Sequence, residues 1–186
     1  MLEKNKNLQE CCCSDSTNSN CCGEQKNAEV GKKRIVIDFL YLDLDVCTRC
    51  QGTDQTLDEA LKDVSKVLEM TGVEVIVNKV NVPSEEIAET YQFVSSPTIR
   101  VNGHDIQMDV RESLCESCGD LCGDSVDCRV WVYNGVEYTE PPKEMVVEAI
   151  LKEVYGGSTR DTSAQDYSMP ENLKQFYAAM KKKDNI

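Results

Sequence analysis

Cysteines are the residues of this sequence that are best suited to chemistry, and the chain has eleven of them in three groups. Two lie close together in "VCTRCQG", as Cys47 and Cys50. A second group lies within residues 112–128, and a third lies near the N-terminus. Thiolates bind soft metal ions and also exchange with disulfides, so each group has a ligand interpretation and a redox interpretation.

The Cys47–Cys50 pair follows an apolar segment, residues 34–44, and precedes a helical pattern. Unpaired N–H groups at a helix N-terminus stabilise a thiolate, and Arg49 adds positive charge beside the pair. We therefore predict a redox dithiol in which Cys47 is the exposed attacking thiol and Cys50 the shielded resolving thiol. The alternative is that both sulfurs belong to a metal site.

The segment 112–128 is rich in Cys, Gly and Asp, and its four thiols are those of Cys115, Cys118, Cys122 and Cys128. Four thiolates suit tetrahedral zinc or another soft ion, which is the first interpretation. Two disulfides or a second redox pair form the second, and an iron–sulfur cluster is the third. Because this insertion follows a strand that begins beside Pro97, we expect it to fold over the Cys47–Cys50 pair as a lid.

The N-terminal segment 1–33 is polar and has no aromatic residue, so we predict a disordered tail. Neighbouring thiols on a flexible chain are adaptable ligands for soft ions and poor catalytic groups. We therefore predict that metal ions bind to the five tail cysteines, Cys11, Cys12, Cys13, Cys21 and Cys22. A tail with incidental thiols is the alternative.

The chain has 186 residues and a formal net charge of −13, which disfavours nucleic acid and anionic membrane surfaces as partners. Its first residues, "MLEKNKNLQE", contain no apolar signal segment, and no apolar stretch approaches the length of a membrane span. We therefore expect a soluble cytoplasmic protein. In a reducing compartment, cysteines more often bind metals or carry redox chemistry than form a disulfide framework.

Hydrophobic periodicity predicts the order β–CxxC–α–β–α–(Ser-Pro)–β–β–α over residues 34–156. The first helix is expected to be capped by Thr53 or Asp54 and the second by Ser84. A strand is expected at Thr98–Val101, and Asn134–Gly135 is expected to form a hairpin turn. A βαβ half followed by a ββα half predicts an α/β domain with a mixed sheet of four main strands and helices on both faces.

Residues 157–186 are predicted to be a linker and a C-terminal amphipathic helix with Leu173, Phe176, Tyr177 and Met180 on its apolar stripe. Both termini are therefore expected to be flexible extensions.

This order of elements, together with "CTRC" and "SSPT", resembles the thioredoxin superfamily over about residues 34–156. The resemblance implies a thioredoxin-like sheet in which Pro97 is the cis-proline beside the dithiol, with Ser96 backbone groups pairing with a thiol substrate. The segments "FLYLDLDVCTRCQGTDQTLDEAL", "SSPTIRVNG" and "CESCGDLCG…DCRVWVYNGVEY" are similar to an uncharacterised bacterial and archaeal family of thioredoxin-like domains. Members of that family are often found alongside arsenic or mercury resistance functions.

Two classes of function are compatible with these observations. The first is thiol–disulfide exchange, or handling of a thiophilic metal or metalloid, through Cys47 and Cys50 beside Pro97 in arsenic or mercury detoxification. The second is a non-catalytic metallochaperone or scavenger with a structural zinc site. The expected partner is accordingly a protein thiol or disulfide, or a thiophilic ion.

Overall fold

The computed structural model describes residues 33–123, 125–157 and 167–183. Residues 1–32 of the predicted N-terminal tail, with its five cysteines, lie outside these residues, as does most of the predicted linker. The elements in chain order are β1 (Lys33–Tyr41), α1 (Thr48–Met70), β2 (Val73–Asn81), α2 (Glu85–Thr90), β3 (Thr98–Val101), β4 (His104–Asp105), β5 (Arg111–Leu114), α3 (Glu116–Cys122), β6 (Asp127–Tyr133), β7 (Val136–Tyr138), α4 (Lys143–Tyr155) and α5 (Glu171–Lys183).

The main sheet is mixed and has four strands in the order β2-β1-β3-β4. β1 pairs in parallel with β2 and antiparallel with β3. The short β4 follows β3 through a turn at Asn102–Gly103, where both residues have positive φ. Asn and Gly tolerate this backbone conformation, which two-residue hairpin turns require. The predicted α/β class and the four-stranded mixed sheet are therefore confirmed.

Both faces of the main sheet are covered at β1, which buries apolar side chains on each of them. Ile35, Ile37 and Phe39 pack with apolar residues of α1 and α4 in one cluster. Leu40, whose side chain points the opposite way from that of Phe39, packs in a second cluster with residues of α2, α3 and α5.

Among the described residues, no helix has the length and apolar character needed to cross a membrane.

The hairpin predicted around Asn134–Gly135 is present as β6–β7, and it belongs to a second sheet in the order β5-β6-β7. The main sheet takes its fourth strand from β4 instead. The side chain of Gln107, just after β4, holds β6 beside this segment. Its Oε1 accepts a hydrogen bond from Val132 N–H, and its Nε2 donates to the Val130 carbonyl. A side-chain amide thus pairs with β6 as a neighbouring strand would.

The C-terminal helix α5 packs onto the second cluster. Leu173, Phe176 and Tyr177 are buried there, on the stripe that the amphipathic pattern predicts. The Tyr177 hydroxyl donates a hydrogen bond of 2.9 Å to the Val82 carbonyl, which lies just beyond β2. This helix therefore contributes to the apolar cluster that also contains the cysteines of the insertion.

Candidate metal centre

Helix α1 begins within the CxxC motif. Its N-cap is Cys47, whose sulfur accepts a hydrogen bond of 3.4 Å from Cys50 N–H. The prediction that Thr53 or Asp54 caps this helix is therefore wrong. The helix begins earlier than predicted because the loop before it is already ordered. In this loop the Asp43 carboxylate accepts hydrogen bonds from the N–H groups of Asp45 and Val46.

The insertion folds as strand, short helix and strand, and this brings its cysteines together. β5 and β6 pair antiparallel, and Cys115 N–H extends the ladder by donating to the Val126 carbonyl at 2.8 Å. Cys115 is the N-cap of α3, Cys118 lies inside that helix, and Cys128 lies near the start of β6. The antiparallel pairing thus places Cys128 beside the start of α3.

Four sulfurs converge at this point, all within 4.8 Å of one another: those of Cys47, Cys115, Cys118 and Cys128. All four residues are buried, and the sulfurs of Cys118 and Cys128 are 3.3 Å apart. A tetrahedral zinc site with Zn–S bonds of about 2.3 Å requires sulfurs about 3.8 Å apart. The residues therefore fit a single four-coordinate ion.

This geometry also separates the first and third interpretations of the insertion. The four cysteines of an iron–sulfur cluster are divided among two or four irons, which spreads their sulfurs further apart than one ion does. Sulfurs within 4.8 Å of one another favour a single ion. Among the described residues, no disulfide joins any two of the six cysteines.

The four converging cysteines differ from the four predicted in the insertion by one member: they include Cys47 and not Cys122. Cys122 is buried at the end of α3, where its sulfur contacts the Gly119 carbonyl at 3.9 Å. Cys50 is also buried and outside the group, with its sulfur 3.4 Å from the Ser96 hydroxyl. The repeat of the CxxC spacing in Cys115-x-x-Cys118 was the sequence feature that could have linked the two motifs.

Arg49 holds the insertion against α1. Its guanidinium donates hydrogen bonds to the carbonyls of Leu114 at 2.7 Å, Cys128 at 3.1 Å and Ser113 at 3.2 Å. A second contact joins the hydroxyls of Thr48 and Ser117 at 3.2 Å. The dipeptide between Cys47 and Cys50 thus fixes both strands of the insertion. A planar guanidinium with five donors suits this task better than an ammonium group.

The expectation that Cys47 is exposed is wrong, since its relative exposure is 0%. The insertion supplies the cover: three of its cysteines surround the Cys47 sulfur, and Arg49 anchors the two strands that carry them. Cys50 is shielded, as predicted, with an exposure of 0%. Both members of the pair are therefore enclosed.

Because these thiols lie close together, their pKa values shift in opposite directions. Hydrogen bonds from Cys115, Cys118 and Cys128 hold the pKa of Cys47 far below its usual value, against the effect of burial. Hydrogen bonds from Cys118 and Cys128 lower the pKa of Cys115 to about 6. Cys115 therefore donates to the Cys47 thiolate only below about pH 6. At neutral pH both are thiolates, and Cys118 and Cys128 donate to them.

The other thiols retain their protons. The pKa of Cys118 is raised, chiefly by its hydrogen bond to Cys115, and that of Cys128 by its hydrogen bonds to Cys115 and Cys118. The pKa of Cys50 is raised by its hydrogen bond to Cys47 and then by burial. Each of these thiols donates to a neighbouring thiolate, and donation stabilises the protonated form.

The Pro97 loop lies beside the centre, and the Ser96–Pro97 peptide bond is cis. The Ser96 hydroxyl contacts the Cys50 sulfur and accepts a hydrogen bond from Leu42 N–H. The Ser96 carbonyl accepts a hydrogen bond of 2.7 Å from Arg129 N–H. The backbone acceptor that the thioredoxin resemblance reserved for a substrate is therefore paired within the chain, next to Cys128.

The comparison with known families gives one match, over residues 35–150, to a family described as a domain of unknown function. No curated protein and no solved structure matches the chain. The matched region contains the four converging cysteines as well as Cys50 and Cys122. It spans more than half of the sequence, and the chain therefore belongs to the domain-of-unknown-function family DUF2703.

Proposed function

We propose that this protein is a thiolate metal-binding module that captures one thiophilic ion between Cys47, Cys115, Cys118 and Cys128. The observation that supports the proposal best is the convergence of four buried sulfurs within 4.8 Å. Sulfurs from α1 and from both ends of the insertion meet there, so an ion would link parts of the chain that are distant in sequence. Such a closed site contributes folding free energy when its ion binds.

The ion belongs to the thiophilic class. Four thiolates in a tetrahedral arrangement suit zinc, and softer ions favour the same ligands. The family resemblance adds an arsenic or mercury detoxification role, in which the centre takes up a toxic metal or metalloid. The tail cysteines, Cys11 to Cys22, then collect the ion and pass it to the buried centre.

A second function, thiol–disulfide exchange of the thioredoxin type, is supported by the N-cap position of Cys47 and by the cis Pro97 loop next to Cys50. In that reaction the Cys47 thiolate attacks a substrate disulfide and releases one thiolate. Cys50 then attacks the mixed disulfide and releases the second thiolate. We rank this function below metal binding because Cys47 is fully buried and the Ser96 carbonyl is paired with Arg129.

The test is native mass spectrometry of the reduced chain, prepared without oxygen, with one equivalent of zinc added. The five tail cysteines are replaced by serine so that they do not compete for the ion. We expect one bound ion per chain. Cobalt in place of zinc should give sulfur-to-metal charge-transfer absorption, which identifies thiolate ligands.

Single serine substitutions assign the ligands. Cys47→Ser, Cys115→Ser, Cys118→Ser and Cys128→Ser should each weaken zinc binding, because each removes one thiolate. Cys122→Ser is the matched control, since Cys122 is equally buried but lies outside the group. A protein that binds no thiophilic ion, or one whose binding depends on Cys122 and not on Cys47, contradicts the proposal.

A further inference from the structure

The Cys47 sulfur lies next to two different groups, the other converging sulfurs and the residue Cys50. It is one of the four sulfurs that converge, and it also accepts a hydrogen bond from Cys50 N–H at 3.4 Å. Cys50 is fully buried within the same apolar cluster, yet its sulfur is not part of the converging group. A thiol therefore lies three residues from a ligand without being a ligand itself.

We propose that the Cys47–Cys50 pair is a redox switch for the metal centre, in which disulfide formation removes Cys47 from the centre and releases the ion. This inference rests on the proposed metal-binding function. It gives Cys50 the role of a resolving thiol whose partner is a metal ligand of the same chain. The metal content of the protein then follows the oxidation state of one cysteine pair.

A Cys47–Cys50 disulfide differs from the disulfides possible within the converging group in the number of ligands that it removes. A disulfide between any two of the four converging residues removes two ligands at once. A Cys47–Cys50 disulfide removes only one and leaves three thiols in place. The pair is also close in space, because the Cys47 sulfur lies over the backbone of Cys50 at the start of α1.

A peroxide is the class of oxidant that suits this buried site, since it is small. The Cys47 sulfur attacks one peroxide oxygen, the O–O bond breaks, and a sulfenic acid forms as water or an alcohol leaves. Cys50 loses its proton and attacks the Cys47 sulfur, which forms the S–S bond and expels hydroxide, released as water. Two electrons pass from the two sulfurs to the peroxide, and the metal ion keeps its oxidation state. A dithiol reductant reverses the S–S bond formation.

Binding and oxidation must inhibit each other, because they compete for one sulfur. Metal binding should lower the equilibrium constant for disulfide formation, and the disulfide should lower the affinity for the ion by the same factor. This reciprocity can be measured in the unsubstituted centre. It keeps the proposal testable even if a cysteine variant fails to fold.

The experiment treats the zinc-loaded full-length chain, with serine at the five tail positions, with one equivalent of hydrogen peroxide. A chromogenic chelator follows zinc release, and peptide mass spectrometry identifies the disulfide. We expect zinc release together with a Cys47–Cys50 linkage, and recovery of the site after reduction and addition of zinc. Cys50→Ser should retain one zinc and lose the rapid release, whereas Cys122→Ser should behave as the unsubstituted centre.

Three results overturn the switch. One is a disulfide that maps to two of the insertion cysteines, another is a Cys47–Cys50 linkage in protein that still holds zinc, and the third is equal release from Cys50→Ser. In all three cases the reduced protein binds zinc, so the proposed function stands while the switch fails. A reduced protein that never binds zinc refutes both.

Discussion

The guanidinium of Arg49 donates a hydrogen bond of 2.7 Å to the carbonyl of Leu114, the residue that precedes Cys115. The same group reaches the carbonyl of Cys128 at 3.1 Å. One side chain in the first turn of α1 therefore fixes the backbone next to two of the converging cysteines. The position of the insertion relative to Cys47 depends on this arginine.

Replacing Arg49 should weaken the metal centre without removing a ligand. Arg49→Ala leaves the carbonyls of Ser113, Leu114 and Cys128 without their charged donor, so the three insertion sulfurs are no longer held against Cys47. Hydrogen bonds from charged groups contribute about 1.5–3 kcal/mol each, and partial exposure reduces this, so we expect zinc affinity to fall roughly tenfold. A competition titration with a zinc chelator measures the change.

Two further substitutions serve as controls for Arg49. Arg49→Lys keeps the positive charge but cannot donate to three carbonyls in one plane. Its zinc affinity should therefore lie between that of the unsubstituted protein and that of Arg49→Ala. Arg34→Ala removes an exposed arginine whose partner is Glu74, and it should leave zinc affinity unchanged. Equal affinity in Arg49→Ala and Arg34→Ala would show that Arg49 does not position the insertion.

Zinc binding should release protons in a number that depends on pH. Near pH 7, Cys47 and Cys115 are thiolates, since the pKa of Cys47 lies far below its usual value and that of Cys115 is about 6. Cys118 and Cys128 retain their protons because their pKa values are raised. Zinc needs four thiolates, so we expect about two protons released per ion.

The count should rise as the pH falls. Below the Cys115 pKa of about 6 that thiol becomes protonated, and binding then expels about three protons, so affinity falls more steeply with decreasing pH. Calorimetry in buffers of different ionisation enthalpy gives the count at each pH. Release of four protons at pH 7 would mean that the reduced centre holds no thiolates.

Much of the main sheet could be predicted from the sequence, because its elements have clear periodicity. β3 was expected at Thr98–Val101 and has those bounds, and α2 begins after Ser84, whose hydroxyl caps it as predicted. The hairpin turn at Asn134–Gly135 was also expected from its residue types. These features depend on neighbours in sequence, which a pattern records.

The fourth cysteine of the centre could not be predicted in the same way. Cys115 and Cys118 share a CxxC motif, and local chain geometry keeps them close. The choice between Cys47 and Cys122 depends on how the insertion docks on α1, and that docking is made by Arg49 contacts with backbone carbonyls. A side chain that binds distant carbonyls produces no period in the sequence.

Asn172 of α5 should stabilise the strand that carries Cys128. Its amide accepts a hydrogen bond of 3.0 Å from Asp127 N–H and donates one of 2.7 Å to the Asp127 carbonyl, as a neighbouring strand would. Asn172→Ala removes both, and at about 1 kcal/mol each the free energy of unfolding should fall by about 1–2 kcal/mol. Urea unfolding measures it.

The same substitution should make zinc leave the reduced protein faster, because Cys128 follows Asp127 directly. Lys174→Ala is the control on this helix, since Lys174 is half-exposed and forms an ion pair with Glu171 at 3.6 Å. We expect that variant to match the unsubstituted protein in both measurements. Equal zinc dissociation rates in Asn172→Ala and Lys174→Ala would show that Asn172 does not stabilise the metal centre.

Reaction with a bulky aromatic disulfide distinguishes an exchange enzyme from a binding module. An exchange enzyme with Cys50→Ser accumulates a mixed disulfide through Cys47, because the resolving thiol is missing. Cys47 is fully buried here, so we expect little trapping at Cys47 in folded Cys50→Ser protein, and ready reaction after unfolding. Adding Arg49→Ala should raise the rate in the folded state, since the insertion is then held less firmly. Peptide mass spectrometry after timed quenching gives both rates, and rapid trapping at Cys47 in folded Cys50→Ser protein would make disulfide exchange the better assignment.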